Sequence, residues 1–250
     1  MGPGTGSTPA RVYGGDVFIW DETSGGVRRA VTGRAGGVST GERAGLNLGG
    51  HVGDDPAAVA ENRRRLAAAL DRPVVYMSQC HGAEVAVVDA VPLLAPACDV
   101  LVTTAPDLAL AVLVADCVPL LLSGDGVVAA VHAGRPGLMA GVVPAAVTAL
   151  RDLGATRIDA VVGPSVCGRC YEVPAAMRAD VAAAHPVSAA VTWSGTPSVD
   201  VAAGVVEQLR GLGVAVRWLP GCTKERDDLY SYRGAPTTGR FAGVVHRVAS

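Results

Sequence analysis

Aromatic side chains are scarce, only 4% of the 250 residues. A platform for single-stranded nucleic acid stacks bases on rings, and this chain has few to offer. A basic surplus is missing too. Twenty-one Lys and Arg stand against 23 Asp and Glu, a formal net charge of −2, so nothing supplies the cations that neutralise a phosphate backbone. The longest apolar run, Leu108 to Leu122, is broken by Asp116 and Pro119 and falls short of the roughly 20 residues that span a bilayer. The opening MGPGTGSTPARVYGG has neither the basic start nor the apolar stretch of a secretory signal. Six cysteines are too few for a disulfide scaffold. The expected compartment is therefore the reducing cytoplasm, where a special cysteine serves as ligand or nucleophile. These absences turn the search for partners toward small molecules, away from nucleic acid and membrane.

What is present is apolar. Half the residues are hydrophobic and the mean hydropathy is +0.34, enough to exclude disorder over most of the chain. The core must be built from Ala, Val and Leu. Residues 1–11 read as a loose tail and 12–250 as one domain, since Gly and Pro are scattered and no linker interrupts the chain. Asp55-Pro56 caps a helix running through AAVAENRRRLAAAL. Strand-like runs follow at 74–77, 84–89, 99–104, 108–115 and 127–132, then a helix over 137–153 and a strand at 158–163. Helices are expected near 174–184 and 199–211, and strands at 214–219 and 241–248. Strands crowd 74–132 too closely for intervening helices, which predicts an α+β fold with antiparallel or mixed sheets. The glycines form no dinucleotide or P-loop pattern.

Three reactive side chains sit at the edges of apolar runs: His81 in SQCHGAEV, Cys117 in ADCVPLLL and His132 in VHAGRPGL. Strand ends open onto loops, where sites are assembled. The spacings of 36 and 15 residues are too long for a local zinc loop but suit ligands meeting from separate strands. Two imidazoles and a thiolate form a donor set for zinc or copper, and three protein ligands leave a fourth position for water or substrate. The competing reading is structural: a cysteine in an apolar run is commonly core, and a lone histidine a satisfied polar residue.

The order of motifs resembles a known family. NLGGHVGDDPAAVAENRRRL, SQCHGAEV, ADCVPLLL, VHAGRPGL, GPSVCGRCYEV and CTKERDDLYSYRGAPTTGRFAGVV are similar to the successive blocks of the YfiH-type, or laccase-domain, family. Polyphenol oxidases and FAMIN-like purine nucleoside phosphorylases belong to it. The resemblance runs from about Ser39 onward. It implies a single-domain layered α/β sandwich with mixed central sheets inside and helices outside. It also implies that His81, Cys117 and His132 are both the zinc ligands and the catalytic triad, with copper a second candidate metal. The implied activity is phosphorolysis of adenosine, inosine and methylthioadenosine, with adenosine deamination on the side. The partners are then a purine nucleoside and phosphate, and the protein a cytoplasmic monomer or homodimer. One departure stands out: where the family has HAGWRG this chain has HAGRPG, with Arg135 and Pro136 in place of Trp and Arg.

Phosphorolysis needs an anion pocket, and guanidinium groups are suited to one. Arg63, on the first helix, and Arg240, in a Gly-Thr loop entering the last strand, are the chosen candidates, with Arg233 behind them. Gln79 would share a strand face with His81 and could bond a base or sugar. Ser39 and Asn47 could line the pocket, with turn chemistry as the alternative. His51 reads as a loop histidine, Asp116 as a residue that orients a neighbouring loop, and Glu172 as the best single carboxylate for proton transfer. His185 and His246 fall outside the motifs. C-x-x-C at Cys167 and Cys170 has no second pair, so it reads as a loop.

Two other activities compete with the phosphorylase. One is a Cys-His hydrolase or amidase on a cell-wall nucleotide precursor, with Cys117 as nucleophile. The other is a copper-dependent polyphenol oxidase. Five histidines in the whole chain cannot feed the trinuclear cluster of a multicopper laccase, so only adventitious copper at the three-ligand site is left for it.

Overall fold

The computed structural model describes residues 17–248; the tail expected at residues 1–11 lies outside them. A hairpin comes first, β1 (Phe18–Ser24) and β2 (Val27–Thr32), turned at Gly25 and Gly26, both at positive φ. Helix α1 (Pro56–Leu70) is capped as its sequence predicts: the Asp55 carboxylate accepts from the Ala57 amide at 3.0 Å. Then come β3 (Val74–Tyr76), β4 (Val85–Val87), β5 (Val100–Thr103), β6 (Ala109–Val114), β7 (Val118–Gly124) and β8 (Val127–Ala133). They are followed by α2 (Arg135–Ala140), α3 (Val142–Asp152), β9 (Asp159–Val162) and α4 (Ala175–Ala184). The chain continues through β10 (Ala189–Val191), β11 (Pro197–Val199), α5 (Val201–Gly211), β12 (Ala215–Trp218) and β13 (Phe241–Arg247).

The strands make a five-stranded sheet, β1-β2-β13-β6-β3, a six-stranded sheet, β12-β9-β7-β8-β5-β4, and the small β10-β11 ribbon. Both large sheets are mixed. β3 lies parallel to β6, β4 to β5 and β12 to β9, while the remaining pairs are antiparallel.

Side-chain alternation sorts the core into layers. Leu121, Val128, Ala130, Leu101 and Val161 of the larger sheet pack against Val31, Leu110, Val112, Phe241 and Val245 of the smaller. The opposite face of the larger sheet, with Leu120, Leu122, Ala129 and Val131, is covered by Leu138, Val143, Val147, Leu150, Val205 and Leu209 from α2, α3 and α5. Ala109, Ala111, Leu113, Ala242 and Val244 meet Leu66 and Leu70 of α1 on the outer face of the other. The molecule is thus helix, sheet, sheet, helix: a mixed α+β sandwich with helices outside, as expected.

Some boundaries differ from the sequence reading. The single helix expected over 137–153 is two, because Gly141 at φ 85° closes α2 in the left-handed conformation before α3 begins. The β1-β2 hairpin, β7 and the β10-β11 ribbon were not anticipated. In β7 every residue but the last is buried, so alternation between core and solvent is absent, and Pro119 interrupts a segment that is nonetheless a central strand.

Candidate active site

Antiparallel pairing carries three of the reactive residues to one end of the larger sheet. Pro119 stands opposite His132, and Val100 opposite Val131. The start of β7, the end of β8 and the start of β5 therefore coincide, which gathers Cys117, His132 and Asp99. His81 arrives from the loop between β3 and β4. Its backbone is left-handed, φ 61°, a conformation that costs a non-glycine residue free energy and needs holding by its surroundings.

Asp99 provides that hold. It is fully buried. Its Oδ1 accepts from the His81 amide at 3.0 Å, and its Oδ2 accepts from the amides of Gly82 at 2.7 Å and Cys80 at 3.2 Å and from the Cys80 thiol at 2.9 Å. The same Oδ1 lies 2.7 Å from Nδ1 of His132. A carboxylate at Nδ1 makes that nitrogen the donor and fixes the orientation of the ring. Burial alone would raise the Asp99 pKa, but the His132, Cys80 and Gly82 hydrogen bonds hold it well below the usual carboxylate range.

The donor atoms of His81, Cys117 and His132 lie within 4.8 Å of one another. The Cys117 sulfur is 3.9 Å from Nε2 of His81, and the imidazoles meet edge to face with centroids 4.7 Å apart. In the metal-free protein, burial pushes the Cys117 thiol up, yet contacts with His132 and His81 prevail and bring it down to about 6. Burial lowers His132, but Asp99 and Cys117 outweigh it and raise the imidazole to about 9. Gly134, directly after β8, lets the backbone pass: a Cβ there would stand 3.0 Å from the His81 ring and 3.1 Å from the Cys117 sulfur.

A cleft of about 300 Å³ is lined by Arg43, His51, Val52, Tyr232, Pro236, Thr237, Thr238 and Arg240, with no carboxylate among them. Arg240 is half-buried and within Coulombic reach of Cys117 and Asp116; His81, Cys117 and His132 themselves do not line the cleft. His51 has its pKa lowered by burial and then by the positive charges of Arg240 and Arg63. Arg63 gives its Nε to the Leu48 carbonyl at 2.9 Å and lies over the Tyr76 ring. The larger cavity, about 700 Å³, is lined by Glu22, Arg29, Asp159 and Arg217 among others, and none of the sequence-selected site residues borders it.

The fold uses other sequence candidates differently. Gln79 clips its amide to β6, donating to the Leu113 carbonyl at 2.8 Å and accepting from its N–H at 2.9 Å, which commits one donor and one acceptor to that strand. Ser39 and Asn47 are buried and share Asp54 as acceptor, each at 2.7 Å. Asn62 donates to the Ser39 hydroxyl and the Asn47 carbonyl, and Asn47 Oδ1 accepts from the Arg240 amide at 2.8 Å. These residues build the loop under Arg240; their side chains are spent on it. Arg233 donates to the Glu172 carbonyl and lies over Tyr171. Glu172 itself is exposed; the carboxylate at the cluster is Asp99. Asp116 takes the loop-orienting place expected of it, accepting from Thr223, Ser231 and the Arg233 amide. Arg135 and Pro136 open α2 at its first two positions.

Sequence reasoning missed Asp99 and Arg43 and undervalued His51. Asp99 had a legible signal: like Cys117, it is a polar residue at the entry to an apolar strand. Of the five histidines, only His81 and His132 share a donor cluster.

The model of the family described as multi-copper polyphenol oxidoreductase laccase matches residues 28–248. A Streptomyces coelicolor protein named purine nucleoside phosphorylase is 55% identical over 236 residues, 90% of this chain and 97% of that one. A Deinococcus radiodurans protein of the same name is 40% identical over 227 residues, 88% of each chain. Among solved structures, a Neisseria meningitidis protein of the DUF152 family superposes with a TM-score of 0.84 at 32% identity, covering 94% of this chain and all of that one.

Proposed function

The chain belongs to the multi-copper polyphenol oxidoreductase laccase family, and from that premise we propose that it is a zinc-dependent purine nucleoside phosphorylase. Its substrates are adenosine, inosine and methylthioadenosine, with adenosine deamination as a side activity. One observation carries this reading: His81, Cys117 and His132 converge within 4.8 Å, and Arg240, within Coulombic reach of Cys117, shares with Arg43 a cleft free of carboxylates. The names of the curated relatives point the same way.

The residues suit a metal. Two imidazoles and a thiol of lowered pKa are zinc donors, and a ligating histidine characteristically gives its other nitrogen to a carboxylate, as His132 does to Asp99. Zinc held by His81, Cys117 and His132 would supply Lewis acidity to substrate or water. The protein's own contribution is positioning and charge. Arg240, Arg63, Arg43 and His51 hold phosphate against the sugar. A phosphate oxygen bonds to C1′ as the bond from C1′ to the purine nitrogen breaks, and the electron pair leaves with the base, which takes up a proton. Preorganised cations lower this barrier because they need no reorientation as charge moves.

A second reading has an observation of its own. Asp99, His132 and Cys117 stand in the order of a carboxylate, imidazole and thiol relay, the arrangement of a Cys-His hydrolase or amidase acting on a cell-wall nucleotide precursor. Incubation of the metal-analysed protein with inosine separates the two. The phosphorylase yields hypoxanthine and ribose 1-phosphate only when phosphate is present and loses activity on chelation. Nucleoside cleavage without phosphate, or none by metal-loaded protein, overturns it. Hydrolysis of a nucleotide-linked amide that survives chelation and stops on alkylation of Cys117 would establish the second.

A further inference from the structure

The C-x-x-C segment acquires a third thiol in the fold. Cys167, Cys170, Cys222 and Glu225 each bring one donor atom, all within 4.8 Å of one another. None of these cysteines is in a disulfide. The chain takes trouble to gather them. Amides of Cys170 and Tyr171 both bond the Cys167 carbonyl, at 2.9 and 3.0 Å, closing a tight turn that brings the two sulfurs of the motif together. Ser165 pairs with Cys222 across a β-bridge, and the Thr223 amide bonds the Ser165 carbonyl at 3.1 Å.

A donor is already aimed at one of the sulfurs: the Cys167 amide reaches the Cys222 sulfur at 3.4 Å. Backbone N–H groups directed at sulfur stabilise thiolates. Glu225 is positioned as well: one oxygen accepts from the Cys170 thiol at 3.1 Å and from the Trp193 indole at 3.2 Å. That indole is three-quarters exposed and is held by this hydrogen bond and by the Arg169 guanidinium over its ring. A ligand carboxylate held by an outer donor is the usual support of a metal site.

Four ligands about 2.0–2.3 Å from a zinc ion stand under about 4 Å apart in a tetrahedron, a spacing compatible with this cluster.

We propose that Cys167, Cys170, Cys222 and Glu225 form a second metal site, a closed tetrahedral centre of three sulfurs and one carboxylate that takes zinc. Binding makes three Zn–S bonds and one Zn–O bond, and the three thiol protons pass to solvent. No position remains for substrate, so the centre is structural. It joins the 165–171 loop to the 222–225 turn, and Trp193 brings in the β10-β11 connection. The same turn is fastened to Asp116, beside Cys117, through Thr223. The centre therefore anchors the start of the segment whose far end carries Arg240 into the cleft.

The proposal stands apart from the nucleoside reading, because its test measures metal and not turnover. Protein purified under reducing conditions is analysed for zinc, and then after cobalt replacement by absorption and X-ray absorption spectroscopy. Wild type is expected to hold two equivalents. Cys117→Ser should retain one, in a sulfur-rich shell with an intense sulfur-to-cobalt band; adding Cys170→Ser should remove it. Should that double variant fail to fold, Glu225→Gln in the Cys117→Ser background serves instead, with cobalt binding weakened at least about tenfold. The proposal is overturned if Cys117→Ser protein holds no metal, if its metal has no sulfur-rich shell, if either added substitution leaves binding unchanged, or if peptide mapping recovers Cys167 and Cys170 as a disulfide.

Discussion

Of the three donor clusters among the described residues, one of them Cys80, Glu84 and Asp99, the other two are built by different rules. His81, Cys117 and His132 come from strand ends and one strained loop, with a buried carboxylate behind them and a cationic cleft alongside. Cys167, Cys170, Cys222 and Glu225 come from a turn and a short helical segment, with a backbone amide on the Cys222 sulfur and the Trp193 indole on the Glu225 carboxylate. The first set has fewer donors than a tetrahedral ion needs; the second has the full number. Incomplete coordination beside a charged cleft suits chemistry, and complete coordination in a turn suits fastening.

The hardest blow to that contrast is Cys117→Ser or His132→Gln. Each is expected to lower phosphate-dependent nucleoside cleavage by about 10³-fold or more, beyond the loss of a single transition-state donor, and to remove one metal equivalent. Loss of all bound metal from Cys117→Ser protein would erase the contrast and, with it, the second site. Asp99→Asn follows. It preserves the shape but weakens the hold on His132 and the His81 loop, and a loss of about 10–100-fold in metal affinity or activity is expected at the histidine cluster alone. Equilibrium dialysis against zinc measures this.

Arg240→Met keeps the aliphatic stem and removes the charge. About 1.5–3 kcal/mol is at stake in a charge-assisted contact, so the KM for phosphate should rise at least about tenfold with the nucleoside KM little changed. Steady-state kinetics with each substrate varied decides whether the cleft is the anion site.

The smallest effect guards the comparison against a confusion, because acid can strip metal or unfold the chain. His246 is buried in β13; its Nδ1 bonds the Arg247 carbonyl at 2.8 Å and its Nε2 has no partner. Burial lowers its pKa from 6.5 to about 4 despite the backbone hydrogen bond. The folded imidazole resists a proton that the unfolded one accepts, so this stability is complete above pH 6.5 and is lost as the pH falls toward 4. About 2 kcal/mol should disappear across that window, and His246→Gln should flatten it in denaturant titrations taken at successive pH values.

Much of this was legible in the residues. Capping at Asp55 and Pro56 placed α1, and strand crowding between 74 and 132 gave mixed sheets. Elsewhere the pattern was silent for a physical reason. β7 lies between two strands and between two apolar layers, so nothing along VPLLLS distinguishes inside from outside. Gln79 and Asn47 looked like substrate groups because amides can bond almost anything; which partner they take depends on the backbone that folding brings to them. His51 carries a loop's local signature, and only the arrival of Arg63 and Arg240 gives it an electrostatic role.

The order of motif blocks, with His81, Cys117 and His132 among them, was determined by the sequence alone, since local residue type and succession suffice to mark a family and its donors. Tertiary structure alone decided that Asp99 supports them, that Arg43 and Arg240 from opposite ends of the chain share one cleft, and that Cys222 completes a trio begun by Cys167 and Cys170. Each of those facts is a distance between residues far apart along the chain, and such distances are set by how two sheets pack and which strands pair.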